Sequence, residues 1–124
     1  MFPVIKAMLL KSSVLVALVG NRIYPDVVPN DEKKPALSLF LVSTVYDDAV
    51  DGTRLITASN WQINCMANSR MNASAVADAV FKALHGQSHD TIKLARVTNR
   101  NDELPDSGVP LRRTIIDVEL KHFT

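Results

Sequence analysis

Only one cysteine, Cys65, occurs in 124 residues. A chain with one thiol cannot form an internal disulfide, and a reducing compartment is the simpler setting for it. Glycine is scarce as well: Gly20, Gly52, Gly86 and Gly108 each stand alone, which excludes the Gly-rich loop that cradles phosphates. Charge of either sign is not in excess, with a net value of +1 and a pI of about 7.9. Composition therefore gives no electrostatic reason to expect direct DNA binding or a membrane surface. The apolar run Val14–Val19 has only six residues, and Lys6, Lys11, Ser12 and Ser13 interrupt what precedes it. That is short of a signal-peptide core and far short of a bilayer span. The expectation is an unprocessed, cytosolic chain.

Apolar residues make up 47% of the chain and charged residues 22%. These fractions fit one globular domain over 1–124, long enough to bury a core without staples. All four glycines and all six prolines fall between patterned segments, and Pro3 suits a first helical turn. Residues 3–19 read as a kinked helix or two short ones, because Ser12-Ser13 is a second N-cap signal and Gly20 a stop. Most of this segment is apolar all round, so it should pack against a sheet. Residues 24–36, with three prolines and a charge cluster, read as a loop.

Leu37–Tyr46 reads as a strand with Leu37, Leu39, Leu41 and Val45 on one face and Phe40, Val42 and Tyr46 on the other. Two apolar faces imply a central position or a face buried by a partner subunit. Asp51-Gly52 marks a turn. Arg54–Met66 alternates, with Trp61, Ile63 and Cys65 opposite Asn60, Gln62 and Asn64. The short connection pairs the two strands as an antiparallel hairpin. Ser69 or Asn72 caps a helix whose apolar positions are Ala73, Val76, Val80 and Leu84. Thr91–Thr98 and Arg113–Phe123 are the last strands, joined by the polar stretch Asn99–Leu111. The fold class is α+β: a four-stranded, mainly antiparallel sheet with helices packed on one face, in the order α-β-β-α-β-β. The polar rows Gln62, Asn64 and Asp117, Glu119, Lys121 take the other face.

Candidate chemistry is thin. His85 and His89 have i, i+4 spacing, but Gly86 ends the helix between them, so a surface His at a helix C-terminus outweighs a zinc pair. A Cys65/His122 nucleophile is outweighed by core packing, because Cys65 shares its row with Trp61 and Ile63. Asp47, Asp48 and Asp51 cluster at a turn without the Asp-x-Asp-x-Asp-Gly pattern of a cation loop, so they read as solvated turn residues. Lys93, Arg96, Arg112 and Arg113 make a modest basic group, which Asp117 and Glu119 should neutralise across the hairpin.

The order Val19-Gly20-Asn21-Arg22-Ile23-Tyr24-Pro25, then a Pro-containing loop, a strand ending at Ser43, the strand Gln62–Ala67, the helix Ala73–Leu84 and the alternating strand Ile116–Phe123 resembles the tail-completion (tail-terminator) proteins of long-tailed bacteriophages. The likeness covers nearly the whole chain. It departs at the Asp47–Gly52 turn and the Asn99–Leu111 loop, where no residues match. The resemblance implies a structural protein with no catalytic residues, no metal and no cofactor. It implies a homo-oligomeric, commonly hexameric ring that caps the tail tube, joins it to the head-side connector and leaves a lumen through which DNA passes without specific binding. The setting implied is the virion tail, after assembly in the host cytoplasm, with no membrane involved. Interface residues would then come from the unmatched segments: Asp47, Asp48, Asp51, Asp102, Glu103 and Asp106. Simple solubility explains such charges equally well. A small α+β enzyme or ligand-binding domain, or another connector or stopper of the head–tail joint, is the competing reading.

Overall fold

A computed structural model describes residues 2–26, 35–47, 56–88, 92–103 and 112–123. Among them the chain forms three helices and one five-stranded sheet, in the order α1 (Phe2–Leu10), α2 (Ser13–Val19), β1 (Ile23–Pro25), β2 (Ala36–Asp47), β3 (Ile56–Ala67), α3 (Arg70–Leu84), β4 (Ile92–Asp102) and β5 (Arg112–Phe123). The N-terminal segment is two helices bent by 103°. Ser12 makes the break: its Oγ accepts from Leu15 N–H and caps α2, while Ser12 N–H donates back to Leu9 O. Gly20 ends α2 at φ 58°, ψ −124°, a backbone region that a β-carbon disfavours. Ser69 rather than Asn72 caps α3, accepting from Asn72 N–H.

Strand order is β1-β2-β3-β5-β4. The expected count of four strands missed β1, and the sheet is mixed because β1 pairs parallel with β2, Ile23 to Pro25 against Leu37 to Leu39. Residues 24–36 read as loop because proline cannot donate in a ladder; on a three-residue edge strand nothing requires Pro25 to donate. Asp26, at φ 63°, ends the strand. The other correction at the ladder ends concerns β4. It continues to Asp102, so Asn99–Asp102 pair with β5 rather than starting a loop.

The three helices cover one face. The core joins Ile5, Leu9, Leu15 and Val19 of α1 and α2, Val76, Val80 and Leu84 of α3, and Leu37, Leu39, Ile63, Cys65, Ile116, Val118 and Leu120 of the sheet. Its helical members recur at i, i+3, i+4, and its strand members at i, i+2, as each backbone period demands. α1 packs on α2 and α3 within the helix layer, rather than chiefly on the sheet. Full burial of each Leu or Ile side chain contributes about 1.5–3 kcal/mol.

A bulge at Val42 changes the reading of β2. Leu41 pairs Trp61 and Ser43 pairs Asn60, so one extra residue enters β2 between them. Side-chain parity reverses there. Val45, expected beside Leu37 and Leu39, shares the outer face with Phe40 and Ser43, while Thr44 and Tyr46 move to the helix side.

Candidate interaction surfaces

The outer sheet face carries rows of polar side chains that bond to one another in pairs, with the buried Asn64 Oδ1 left unpartnered among the described residues. Asn64 Nδ2 donates to Ser38 Oγ at 3.1 Å, Asn60 Nδ2 to Ser43 Oγ at 3.0 Å, and Asn99 Nδ2 to Asp117 Oδ2 at 3.3 Å. Arg96 lies 4.0 Å from Glu119. Of the two acids expected to neutralise the basic group, Glu119 does so through Arg96, whereas Asp117 takes an amide. Arg113 instead pairs Glu103 at 3.1 Å. Arg100 reaches off the sheet edge to α3, with Nη1 2.6 Å from Asp78 Oδ1 and Nη2 donating to Ser74 Oγ.

Sheet edges need cover, because unpaired N–H and C=O groups template further strands. The β4 edge has it. Gly86 N–H donates to Ala95 O at 2.8 Å, Ala95 N–H to Gln87 O at 2.9 Å, and Val97 N–H to His85 Nδ1 at 3.2 Å. The first half of β2 has it as well. Leu37 N–H donates to Arg22 O and Asp26 N–H to Leu39 O, both at 2.9 Å. Past Leu39, among the described residues, no strand pairs with the outer side of β2. That open stretch, Phe40–Tyr46, is uncharged and exposes Phe40, Leu41, Val42, Val45 and Tyr46, with Val42 at 56% and Tyr46 at 67%. The expectation that both β2 faces are apolar was right about composition. The expected central position holds only for the first half of β2, between β1 and β3; beyond Leu39 no described strand lies outside it and its side chains meet solvent.

The acidic residues singled out from sequence divide three ways. Asp47 ends β2, and Asp48, Asp51 and Asp106 lie outside the described residues. Asp102 and Glu103 are not free loop acids. Asp102 accepts from Thr114 Oγ1 at 2.7 Å and lies 3.5 Å from Arg70, while Glu103 holds Arg113. Sequence reasoning missed Arg70 and Thr114 as their partners, because the pairing depends on a strand that reached four residues further than its polar composition suggested.

The nucleophile constellation does not assemble. Cys65 pairs Thr114 and His122 pairs Thr57, eight residues apart along β3, or about 26 Å at strand rise. Burial pushes the Cys65 thiol up to about 12, the Arg100 guanidinium opposing only in part. His122 Nε2 lies 2.8 Å from Ser59 Oγ. His85 stacks on Phe81, ring centroids 4.7 Å apart, and its Nδ1 accepts from Val97 N–H; its would-be metal partner His89 lies outside the described residues.

An open cleft lies among the described residues of the helix layer. It encloses roughly 440 Å³ between the α1–α2 corner and the end of α3, with Met8 at the core side and Lys11, Ser13, Lys82, Gln87 and Ser88 around it.

Two comparisons bear on these surfaces. The family model described as tail completion protein gp17 matches residues 3–121. A chain from a structure titled as the virion of a native gene transfer agent particle superposes with a TM-score of 0.75 at 22% identity, over 100% of this chain and 95% of that one. At that identity the likeness establishes the fold. No curated protein matches.

Proposed function

Because this chain belongs to the tail completion protein family, we propose that it is a tail terminator whose copies close head to tail into a ring, a hexamer, at the end of the tail tube. The ring caps the tube at its final length, offers the surface that joins the head-side connector, and leaves a lumen for DNA. The role is structural rather than catalytic, and the site of action is the virion tail, after assembly in the host cytoplasm.

The observation that carries this reading is the open half of β2. Natural sheets protect their edges with charge, bulges or a covering segment. Here His85–Gln87 cover the Ala95–Val97 part of one edge and β1 half of the other, while among the described residues nothing covers Phe40–Tyr46, which carries no charge and the single Val42 bulge. A heterologous contact that repeats with a closing rotation makes a ring, and such an edge supplies both apolar area and backbone partners. Near-neutral net charge fits a lumen that must not hold DNA, since phosphate contacts would retard its passage. Asp102 and Glu103, with Arg70 and Arg113, form a mixed-charge end of the sheet that suits docking on the tube. Asp47, Asp48, Asp51 and Asp106 belong to contacts around the ring.

The test is a paired substitution, Val42→Lys with Tyr46→Lys. The variant should keep the wild-type far-ultraviolet spectrum and melting temperature, yet lose the discrete oligomer seen by light scattering. In lysates it should leave overlong, headless tails. Filled heads that lack tails and leak DNA would instead assign the chain to a connector or stopper. A wild-type chain that is monomeric both in concentrated solution and on isolated tube ends would sink the ring.

A further inference from the structure

The two edges of the sheet are covered in part, at opposite heights. On β2 the cover lies over residues 37–39, toward the end of the sheet where β5 begins. On β4 it lies over residues 95–97, toward the end where β4 itself begins. Beyond each cover, among the described residues, no backbone bond reaches the outer side of residues 41–46 on β2 or 100–102 on β4. Backbone groups alternate between the two sides of a strand. Leu37 N–H and Leu39 O turn outward, to Arg22 and Asp26. The bulge at Val42 shifts the count by one, so Thr44 and Tyr46 turn outward farther along. On β4, Glu103 N–H donates inward to Arg113 O, which sets Asp102 and Arg100 outward.

One register joins these open stretches without meeting a bulge. β2 and β4 run in opposite senses, because every step between them is antiparallel. Copies related by rotation therefore present them to each other antiparallel. With Tyr46 opposite Arg100 and Thr44 opposite Asp102, outward groups meet two by two. Sliding two residues one way brings the bulges at Val42 and Thr98 into the ladder. Sliding two the other way leaves only Tyr46 and Asp102 to pair. The stagger this register needs is large. Tyr46 pairs Thr57, whereas Arg100 pairs Ile116 and Ile116 pairs Ile63. From Thr57 to Ile63 is about 20 Å of strand rise, and one five-stranded copy advances about 24 Å across the strands. That ratio is a strand tilt of about 40°, inside the range of roughly 35–45° at which sheets close into barrels. The covers block level pairing and leave this staggered one.

We propose that the open stretch of β2 pairs antiparallel with residues 100–102 of β4 in a second copy of this chain, so that one sheet runs on from subunit to subunit. The inference rests on the ring reading and names both sides of its repeating contact. A second copy is favoured over another protein by the fit itself: two edges of one chain are open at heights whose difference gives a closing tilt. The cross-strand neighbours suit the pairing. Tyr46, 67% exposed, comes opposite Arg100, whose guanidinium is held on the helix side by Asp78 and Ser74 and can lie against the phenol ring. Thr44 comes opposite Asp102, so no like charges meet. β2 meets β4 and never another β2, which gives assembly one direction.

The experiment is disulfide cross-linking of the full chain, in which the native Cys65 stays buried. Val45 and Asn101 come opposite each other in the proposed register, as a non-hydrogen-bonded pair with Cα atoms about 4.5 Å apart, within disulfide reach. Inside one copy three strand spacings, at least about 14 Å, separate them, which excludes an internal bridge. Val45→Cys with Asn101→Cys, oxidised where wild type is oligomeric, should give a ladder of covalent multimers on denaturing gels. A mixture of the two single variants should give dimers and nothing longer, and neither single variant alone should cross-link. Val45→Cys with Asn99→Cys, two residues out of register, should cross-link at least tenfold more slowly. Thr44→Pro removes an N–H that turns outward, so it should keep the wild-type circular dichroism spectrum and weaken self-association at least tenfold. Dimers from Val45→Cys alone would show β2 pairing with itself and overturn the inference. So would an oligomeric double variant that never cross-links, or unaltered assembly of folded Thr44→Pro. A wild-type chain that never oligomerises, in solution or on tube ends, sinks the ring reading and this contact with it.

Discussion

Arg22 Nε donates to the carbonyl oxygen of Pro35 at 2.9 Å. Its Nη2 also donates to Leu18 O at 3.2 Å, and its own carbonyl accepts from Leu37 N–H. One side chain thus ties the end of α2 to the start of β2 across the connection that contains β1. Charge-assisted bonds of this kind contribute about 1.5–3 kcal/mol. Arg22→Ala should lower unfolding free energy by roughly 2 kcal/mol in urea titration, and Arg22→Lys should recover only part of it, because an ammonium cannot span both carbonyls. An Arg22→Ala variant as stable as wild type would refute the clamp.

Gly20 should resist substitution for a different reason. An added Cβ would meet Arg22 Nη1 at 3.6 Å, ordinary contact distance. The obstacle is the backbone, held at φ 58°, ψ −124°. Gly20→Ala should cost about 1–3 kcal/mol, visible as a lowered melting temperature with no change in spectrum.

Leu39 and Leu41 are two residues apart on the same side of β2, yet they should behave unlike each other. Leu39 is 1% exposed and Leu41 44%. Leu39→Ala should destabilise the monomer by about 2–5 kcal/mol. Leu41→Ala should change monomer stability by under about 1 kcal/mol and act instead on self-association. Equal losses for the two would show that the helix layer reaches further along the strand than the structure places it.

Cys65 should be silent toward a thiol reagent in the folded chain and react at once in denaturant, since it is fully buried. Its titration also shapes stability at high pH. The folded thiol ionises near 12 against an ordinary value of 9.0. Between those values the unfolded chain has released a proton that the folded chain keeps, so stability falls as pH rises. The contribution is whole below about pH 9 and declines by up to about 1.4 kcal/mol per pH unit above it. Cys65→Ala removes this contribution, so the slope between pH 9 and 11 should be shallower than that of wild type in parallel urea titrations.

Much of this fold is legible in the sequence, and the reason is periodicity. α3 shows Val76, Val80 and Leu84 at helical spacing between a Ser cap and a Gly stop; β3 and β5 alternate cleanly because only one of their faces is buried. The Ser12 break and the Gly20 stop are local, so they too can be read from neighbours in the chain. The likeness to tail-completion proteins rests on the same local signals, and Arg22 and Gly20 show what two of its motif residues do.

Three features could not be read that way. β1 is too short to have a period and exists because β2 lies beside it. The β4 extension to Asp102 is polar and gains its place from pairing with β5 and from Arg70 and Thr114, which are distant in sequence. The Val42 bulge reverses the faces of β2 through a register that only β3 can set.

Local propensity and apolar spacing, carried by the chain's own order of residues, determined the helices, the long strands and the family. What tertiary structure alone decided was which surfaces stay open among the described residues: the second half of β2 and the cleft beside the α1–α2 corner. Exposure is a property of what packs nearby, and packing joins residues that the sequence keeps far apart.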